Sequence, residues 1–412
     1  MPNGWFCVKI QIYCKGWPQV LFVGKGGLGM GNYLVKKGKK NYTGTDGSDT
    51  FRTAKKVGSF IIKAKGGDDK IYIGAGGSGE ISVGTGRDYV EVTGGRVSKI
   101  RLSQGTNTIK ITGGQVSSIV GDGKSRKTSD IITVSNQKRR IDITTGGGAD
   151  SITVNGVHNS LLHKASKATI ETNDGNDTIT INKGGFNRIK SRYGKDKITI
   201  NGGSNYVLAG SSNDTIIVNS KYGNYIKGES GYDSIKLGKK AQRCVVEGGS
   251  DSDTITVNST GSGKIGNLVN GGGGHDIINV NYKAGMTLVV DARQSFTENR
   301  DTLNWYSSSS ELVTFKYYKK NDVMEIYDNF HILGFSKLNK FNFILDSNRS
   351  EFTPKKIINQ LKDTGSIVIS DSKFDINNLL KGYNSIKSYI NDAPSTAVGS
   401  NTSAKYMGYK GC

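Results

Sequence analysis

The sequence has little of what usually holds a large protein together. Among 412 residues there are four prolines and four cysteines; aromatic residues make up 8% and hydrophobic residues 34%. So little proline excludes a collagen-like or proline-rich chain. Four thiols, Cys7, Cys14, Cys244 and Cys412, are too few in so long a chain for a disulfide framework, and no C-x-x-C pair suggests a cysteine zinc site. They read as buried or idle thiols, with a Cys7 to Cys14 bridge as the alternative. No apolar run reaches the ~20 residues of a bilayer-spanning helix, so no transmembrane segment is expected. The opening MPNGWFCVKIQIYCKGW is interrupted by Lys9, Gln11 and Lys15 before a signal-peptide core can form, which leaves export without an N-terminal signal compatible with the sequence. Residues 1–45 carry seven lysines and no acid.

Glycine is abundant instead. It fills 57 positions, about 14% against a usual ~7%. The apolar content is too low for a thick core and too high for a disordered polyelectrolyte, which leaves a thin, repetitive core. The formal net charge is +21, from 56 basic and 35 acidic side chains, yet the acids fall at regular intervals.

An acidic residue followed two positions later by an aliphatic recurs with a common separation of 18 to 20 residues: Asp69/Ile71, Asp88/Val90, Asp150/Ile152, Asp177/Ile179, Asp196/Ile198, Asp214/Ile216, Asp233/Ile235, Asp253/Ile255 and Asp276/Ile278. Asp49/Phe51, Asn107/Ile109, Asp130/Ile132 and Asp301/Leu303 fit with one feature altered or weaker flanks. A second aliphatic beat falls halfway between, as in Ile179, Ile189, Ile198, Val207 and Ile216. Each beat opens a short alternating run such as KIYI or TITV, the period of a half-buried strand. Two strands per turn, joined by nearly equal connections, predict a coil in which each strand stacks in parallel on its equivalent one turn later. The fold class expected is all-β, a parallel β-roll or β-solenoid with about two short strands per 18–20-residue turn. Longer gaps mark loop insertions, the largest at HNSLLHKASK.

One turn per coil carries a six-residue pattern: GGGGHD ending at Asp276, TGGGAD at Asp150, GESGYD at Asp233, GGSDSD at Asp253, VGTGRD at Asp88, GTDGSD at Asp49, TNDGND at Asp177 and SRYGKD at Asp196. Over residues 44–303 this resembles the G-G-x-G-x-D-x-U-x nonapeptide of RTX, or hemolysin-type, calcium-binding proteins. The resemblance implies a calcium-loaded β-roll with Asp49, Asp69, Asp88, Asp150, Asp177, Asp196, Asp214, Asp233, Asp253 and Asp276 as metal residues, joined in the best copy by Gly271, Gly272 and Gly274. The chemistry is consistent on its own terms. Calcium takes 6–8 oxygen ligands at about 2.3–2.6 Å, glycine lets a turn adopt positive φ, and a cation relieves carboxylates stacked at the ~4.8 Å strand spacing. Plain turn chemistry is the competing reading, since Gly, Asn and Asp dominate turns for conformational reasons.

The pattern departs from the family in two ways. The alternate turn carries Asn187, Asn205, Asn224, Ser98 or Ser117 where typical rolls carry a second Asp. Ions are therefore expected along one edge only, with amide or hydroxyl ladders on the other. The first two glycines are also lost in SRYGKD and in AGSSND ending at Asp214, which makes those turns weaker sites.

Other motifs carry less. Gly24, Gly26 and Gly29 outline a dinucleotide fingerprint, but GNYLVKKGKK after them has neither helical period nor acid. SIVGDGKS imitates a phosphate loop with Ser118 in place of its first glycine. His158, His163, His275 and His331 form no zinc motif, and no nucleophile elbow is present. RTX enzymes place a catalytic module before the repeats; about 45 residues are too few for one, so no enzyme activity is expected.

After Trp305 the rhythm stops. ELVTFKYYKKNDVMEIYD reads as two strands, FHILGF and FNFILD as further strands, and TPKKIINQLKDTG as a short helix with Pro354 in its first turn. The order resembles the capping and export region of type I secreted bacterial proteins. The expected organisation is a basic N-terminal cap or hairpin at 1–45, a β-roll at 46–305, a small β-rich capping and secretion region with a short helix at 306–392, and a flexible tail at 393–412. The resemblance implies a secreted, extracellular location, calcium ions as partners and the type I secretion machinery as a further partner. A second reading stays open: a basic solenoid that binds an acidic polysaccharide, lipopolysaccharide or cell surface, with few or no ions.

Overall fold

The structure, a computed structural model, describes side chains across residues 30–281 except 56, 75, 122, 124–127, 138, 157–167 and 260–266, together with the backbone of strands within 8–23 and 288–352. Two compact units divide the chain, Met1–Gly185 and Phe186–Cys412.

In the first unit each coil contributes one short strand to each of two parallel sheets. One sheet begins Asn32–Val35, Thr50–Thr53, Lys70–Ile73, Tyr89–Val92, Thr108–Ile111 and continues through Ile131–Val134, Ser151–Val154 and Thr178–Ile181. Asn41–Thr43, Ser59–Lys63, Ser78–Ser82, Arg96–Arg101, the pair Gln115–Val116 and Ser118–Val120, Ile141–Thr144 and Ala168–Glu171 make the other. In the first of these sheets register is exact to the residue from Lys70–Ile73 onward, so Ile71, Val90, Ile109, Ile132, Ile152 and Ile179 form one column. All six are fully buried. Alternation puts the intervening side chains outside, and each coil thus covers its neighbour's apolar face, which a lone coil of this length could not do. Each buried Ile or Val contributes about 1.5–3 kcal/mol through water exclusion.

Phe186–Cys412 repeats the scheme. Lys197–Ile200, Thr215–Val218, Ser234–Leu237, Thr254–Val257, Ile277–Asn281, Thr302–Ser307 and Lys340–Leu345 stack in parallel. So do Asn187–Tyr193, Asn205–Ser211, Tyr225–Ser230, Val245–Ser250, Asn267–Gly272, Leu288–Asp291 and Ile332–Ser336. The parallel rule then gives way to antiparallel pairs, Thr314–Tyr318 with Val323–Tyr327 and Lys340–Leu345 with Asn348–Phe352. Near the N-terminus Val8–Cys14 pairs antiparallel with Trp17–Val23.

Two expectations need correction or qualification. Ser98 and Ser117 do not take the ladder position: a register shift between Val97 and Lys99 turns Val97 inward, Val116 is likewise buried, and both serines are exposed. No helix occurs among the described residues; the helix expected at 354–365 lies outside them, as do Gly24, Gly26, Gly29, the HNSLLHKASK insertion and the 393–412 tail.

Candidate metal centre

Each Asp that ends a six-residue turn sits immediately before a strand of the first-named sheet of its unit, and each is at most 2% exposed. Burial follows from the hydrogen bonding. In the first unit the Asp49 N–H donates to Asp69 Oδ1 at 2.7 Å, Asp69 to Asp88 at 2.9 Å, Asp130 to Asp150 at 2.7 Å and Asp150 to Asp177 at 2.7 Å. Asp196, Asp214, Asp233, Asp253 and Asp276 are linked the same way in the second, at 2.7–2.8 Å. One carboxylate oxygen per rung is thereby spent on the backbone of the coil before it.

The second oxygen is the distinctive one. Oδ2 of Asp69, Asp88, Asp214, Asp233 and Asp253 is buried and receives no hydrogen bond. Asn107 shows what that atom faces, because it occupies a rung of the same column. Its Oδ1 accepts from the Asp88 N–H at 3.3 Å, as an Asp would, while its Nδ2 donates to the carbonyls of Ser103 at 3.3 Å and Gly105 at 3.4 Å and to Asp130 Oδ1 at 3.0 Å. The amide supplies donors where the turn presents oxygens. A carboxylate in that place sets acceptor against acceptor and needs a proton or a cation between them.

Electrostatics agree. Burial, with neighbouring carboxylates adding to it, pushes the acids up to about 7 at Asp69 and Asp88, and to about 8 at Asp150, Asp214 and Asp253. Asp177 and Asp233 are raised by burial to about 6. The preceding rung's amide opposes the rise at each, helped by the Thr145 hydroxyl beside Asp150 and the Thr172 hydroxyl beside Asp177. Neighbouring charges ~4.8 Å apart would repel by about 3 kcal/mol at an effective dielectric of ~20.

The glycines of the motif divide the work. Those two and four positions before the Asp serve conformation: Gly272 and Gly274 both have φ 111, a region costly to other residues. The glycine five positions before the Asp instead makes space. A Cβ on Gly228 would collide with both Asp233 Oδ2 and the Gly248 carbonyl oxygen, and one on Gly248 with both Asp253 Oδ2 and the Gly271 carbonyl oxygen. On Gly271 it would meet Asp276 Oδ2. A carboxylate oxygen and the next coil's carbonyl thus converge over a bare Cα. At other rungs this cradle is filled by Ala64, Val83, Leu102, Thr145, Thr172, Ser191 or Ala209, all buried. Gly44 also leaves it open, but there Thr45 N–H donates to Asp49 Oδ2 at 2.6 Å.

The alternate turns of the second unit are self-sufficient. Asn187 Nδ2 donates to Asn205 Oδ1 at 2.8 Å, Asn205 Nδ2 to Asn224 Oδ1 at 2.8 Å, and the Cys244 N–H to Asn267 Oδ1 at 2.9 Å. An amide ladder therefore stands where the repeat pattern placed neutral side chains, with Cys244 as a buried rung.

All ten aspartates expected from the motif lie in these columns. Asp130, 1% exposed, and Asn107, fully buried, are also column members although the six-residue pattern is broken before them; their spacing before Ile132 and Ile109 is the signal that marks them. His275 is exposed, outside the cradle. Among the described residues no three His, Cys, Asp or Glu side chains gather round one point, so any cation would draw most of its ligands from backbone carbonyls.

No protein-family model and no curated protein sequence matches the chain. Among solved structures, a hyperactive, Ca2+-dependent, β-helical antifreeze protein from an Antarctic bacterium is similar at 16% identity and a TM-score of 0.43, over 61% of this chain and 85% of that one. Nothing of function is carried across from so loose a likeness.

Proposed function

We propose that this chain is a non-enzymatic calcium-binding β-solenoid whose ions sit at the glycine-cradled rungs of Asp233, Asp253 and Asp276. The observation that carries this reading is the buried Oδ2 of Asp233 and Asp253, turned toward a carbonyl oxygen with no donor in reach. Bound calcium would supply positive charge and accept several oxygens at once. The protein's own part is to hold Oδ1 on the preceding rung's amide, to keep Oδ2 fixed beside the next coil's carbonyl, and to leave the cradle free of side chain.

We further propose that binding couples folding to location. A single carboxylate per coil makes a weak site, and weak sites fill at the millimolar calcium found outside cells rather than inside. The chain would leave a bacterial cell unfolded through a type I pathway, with residues 306–392 as cap and secretion region, and fold on arrival. Circular dichroism of the full chain in chelator and in millimolar calcium tests this. Calcium-dependent β signal is expected; a β signal indifferent to chelator would remove the coupling.

A further inference from the structure

The outer face of the first unit's first-named sheet is divided in a way its fold does not require. Along Ile131–Val134, Ser151–Val154 and Thr178–Ile181 the outward side chains are Ile131, Ser151 and Thr178 in one column and Thr133, Thr153 and Thr180 in the next. Uncharged side chains, five hydroxyls and one isoleucine, suffice there to cover the sheet. The four preceding rungs of the same face carry Thr50, Lys70, Tyr89 and Thr108 in the first column and Arg52, Tyr72, Glu91 and Lys110 in the second. Their inward neighbours Phe51, Ile71, Val90 and Ile109 are fully buried, which fixes these eight as outward.

Within this patch the Arg52 guanidinium lies 4.1 Å from the Tyr72 ring centre, and Tyr72 and Tyr89 are tilted against each other at 5.9 Å. The lone carboxylate, Glu91, is engaged by Lys110 at 3.5 Å. Arg52, Lys70 and Lys110 are exposed, the tyrosines half-buried, and Lys70 has no ion pair among the described residues. The patch is therefore net positive and anchored by aromatic rings whose positions are set by cross-strand packing. Tyr and Arg are residue types enriched at binding surfaces, and Tyr presents large area at low entropic cost.

We propose that this four-rung patch is a docking surface for a linear carboxylated polysaccharide lying across the strands. Arg52, Lys70 and Lys110 stand on the first, second and fourth of these rungs, separated along the stack by one and two multiples of the ~4.8 Å strand spacing, so they can meet carboxylates repeated along a polymer. The tyrosines give sugar rings an amphipathic floor. Charge complementarity makes the attraction salt-sensitive. This site is separate from the aspartate column and does not rest on calcium binding there.

The test uses the full chain titrated with hyaluronan, with dextran and duplex DNA as comparison probes. Three variants are compared by circular dichroism and affinity: Arg52→Thr/Lys70→Thr/Lys110→Thr, Tyr72→Thr/Tyr89→Thr, and a charge-matched control on the unit's other sheet, Lys63→Thr/Arg96→Thr/Lys99→Thr. Thr is chosen because the next rungs carry it. The proposal expects salt-sensitive binding to hyaluronan and none to dextran, about tenfold weaker in the first two variants and unchanged in the control. Equal loss in both charge variants would mean net charge alone is read and would overturn it. So would preference for DNA over hyaluronan, or no binding to hyaluronan. If the tyrosine variant loses its β signal, the two charge variants decide.

Discussion

The two units close their coils differently at the edge away from the aspartates. In residues 30–185 that edge is mainly apolar: Phe60, Val97, Val116, Ile141 and Ala168 are buried there. In residues 186–281 it is polar, with Asn187, Asn205, Asn224 and Asn267 buried and bonded to one another or to neighbouring backbone. A coil of this kind can therefore be closed by hydrocarbon or by neutral amide, and the amides of Asn187, Asn205, Asn224 and Asn267 are all bonded. The aspartate columns expose a requirement. Asn107 makes the same inter-coil hydrogen bond as an Asp and adds donors besides, so holding coils together does not explain why the position is so regularly Asp.

Chelation is the strongest way to break that contrast. Three sites each occupied at 10- to 100-fold above Kd would contribute about 1.4–2.7 kcal/mol apiece. Thermal scans should show the midpoint rising by about 10 °C or more in saturating calcium. Magnesium should do far less, because it demands a tight octahedron of oxygens. An equal response to both ions would point to general screening instead.

Converting rungs to amide comes next. Asp233→Asn with Asp253→Asn should stabilise the metal-free protein by about 1–3 kcal/mol per rung, by supplying the missing donor, while removing most of the calcium-induced rise. Denaturant unfolding with and without calcium measures both; a loss of stability in chelator would contradict the reading of Oδ2.

Asn107→Asp asks the reverse question. It should cost about 1–3 kcal/mol by leaving a buried acceptor unpaired, and calcium should not restore it, since Leu102 fills the cradle at that rung. Adding Leu102→Gly should bring calcium sensitivity to it. Rescue of the single variant would show that the cradle glycine is dispensable.

The pH effect is the most gradual. Folded-state acids raised from 3.8 to about 6–8 hold protons that the unfolded chain has released. Metal-free stability should therefore fall as pH rises from about 4 to about 8. In saturating calcium the decline should flatten. Stability in chelator that climbs over this range would contradict the burial of the column.

Much of this architecture is legible in the sequence because a solenoid is nearly one-dimensional. The beat of Asp69/Ile71 and Asp88/Val90 sets strand position, parallel register and edge at once. The difference between rungs was harder to see. The copies differ in their first residue, Gly in GESGYD and GGSDSD but Val in VGTGRD and Thr in TGGGAD, yet the meaning of that difference emerges only when the coil is closed, because the cradle of Asp233 is bounded by the Gly248 carbonyl one coil on. Ser98 and Ser117 lie outside the ladder for a related reason: a single register shift exchanges inside for outside, and no residue type announces it.

A crystal structure grown in calcium tests the central claim most directly. Ion density is expected within about 2.3–2.6 Å of Asp233 and Asp253 Oδ2 and the adjoining carbonyls, with none beside Asn107. Well-ordered coils whose Asp233 and Asp253 rungs hold no ion at saturating calcium would contradict it.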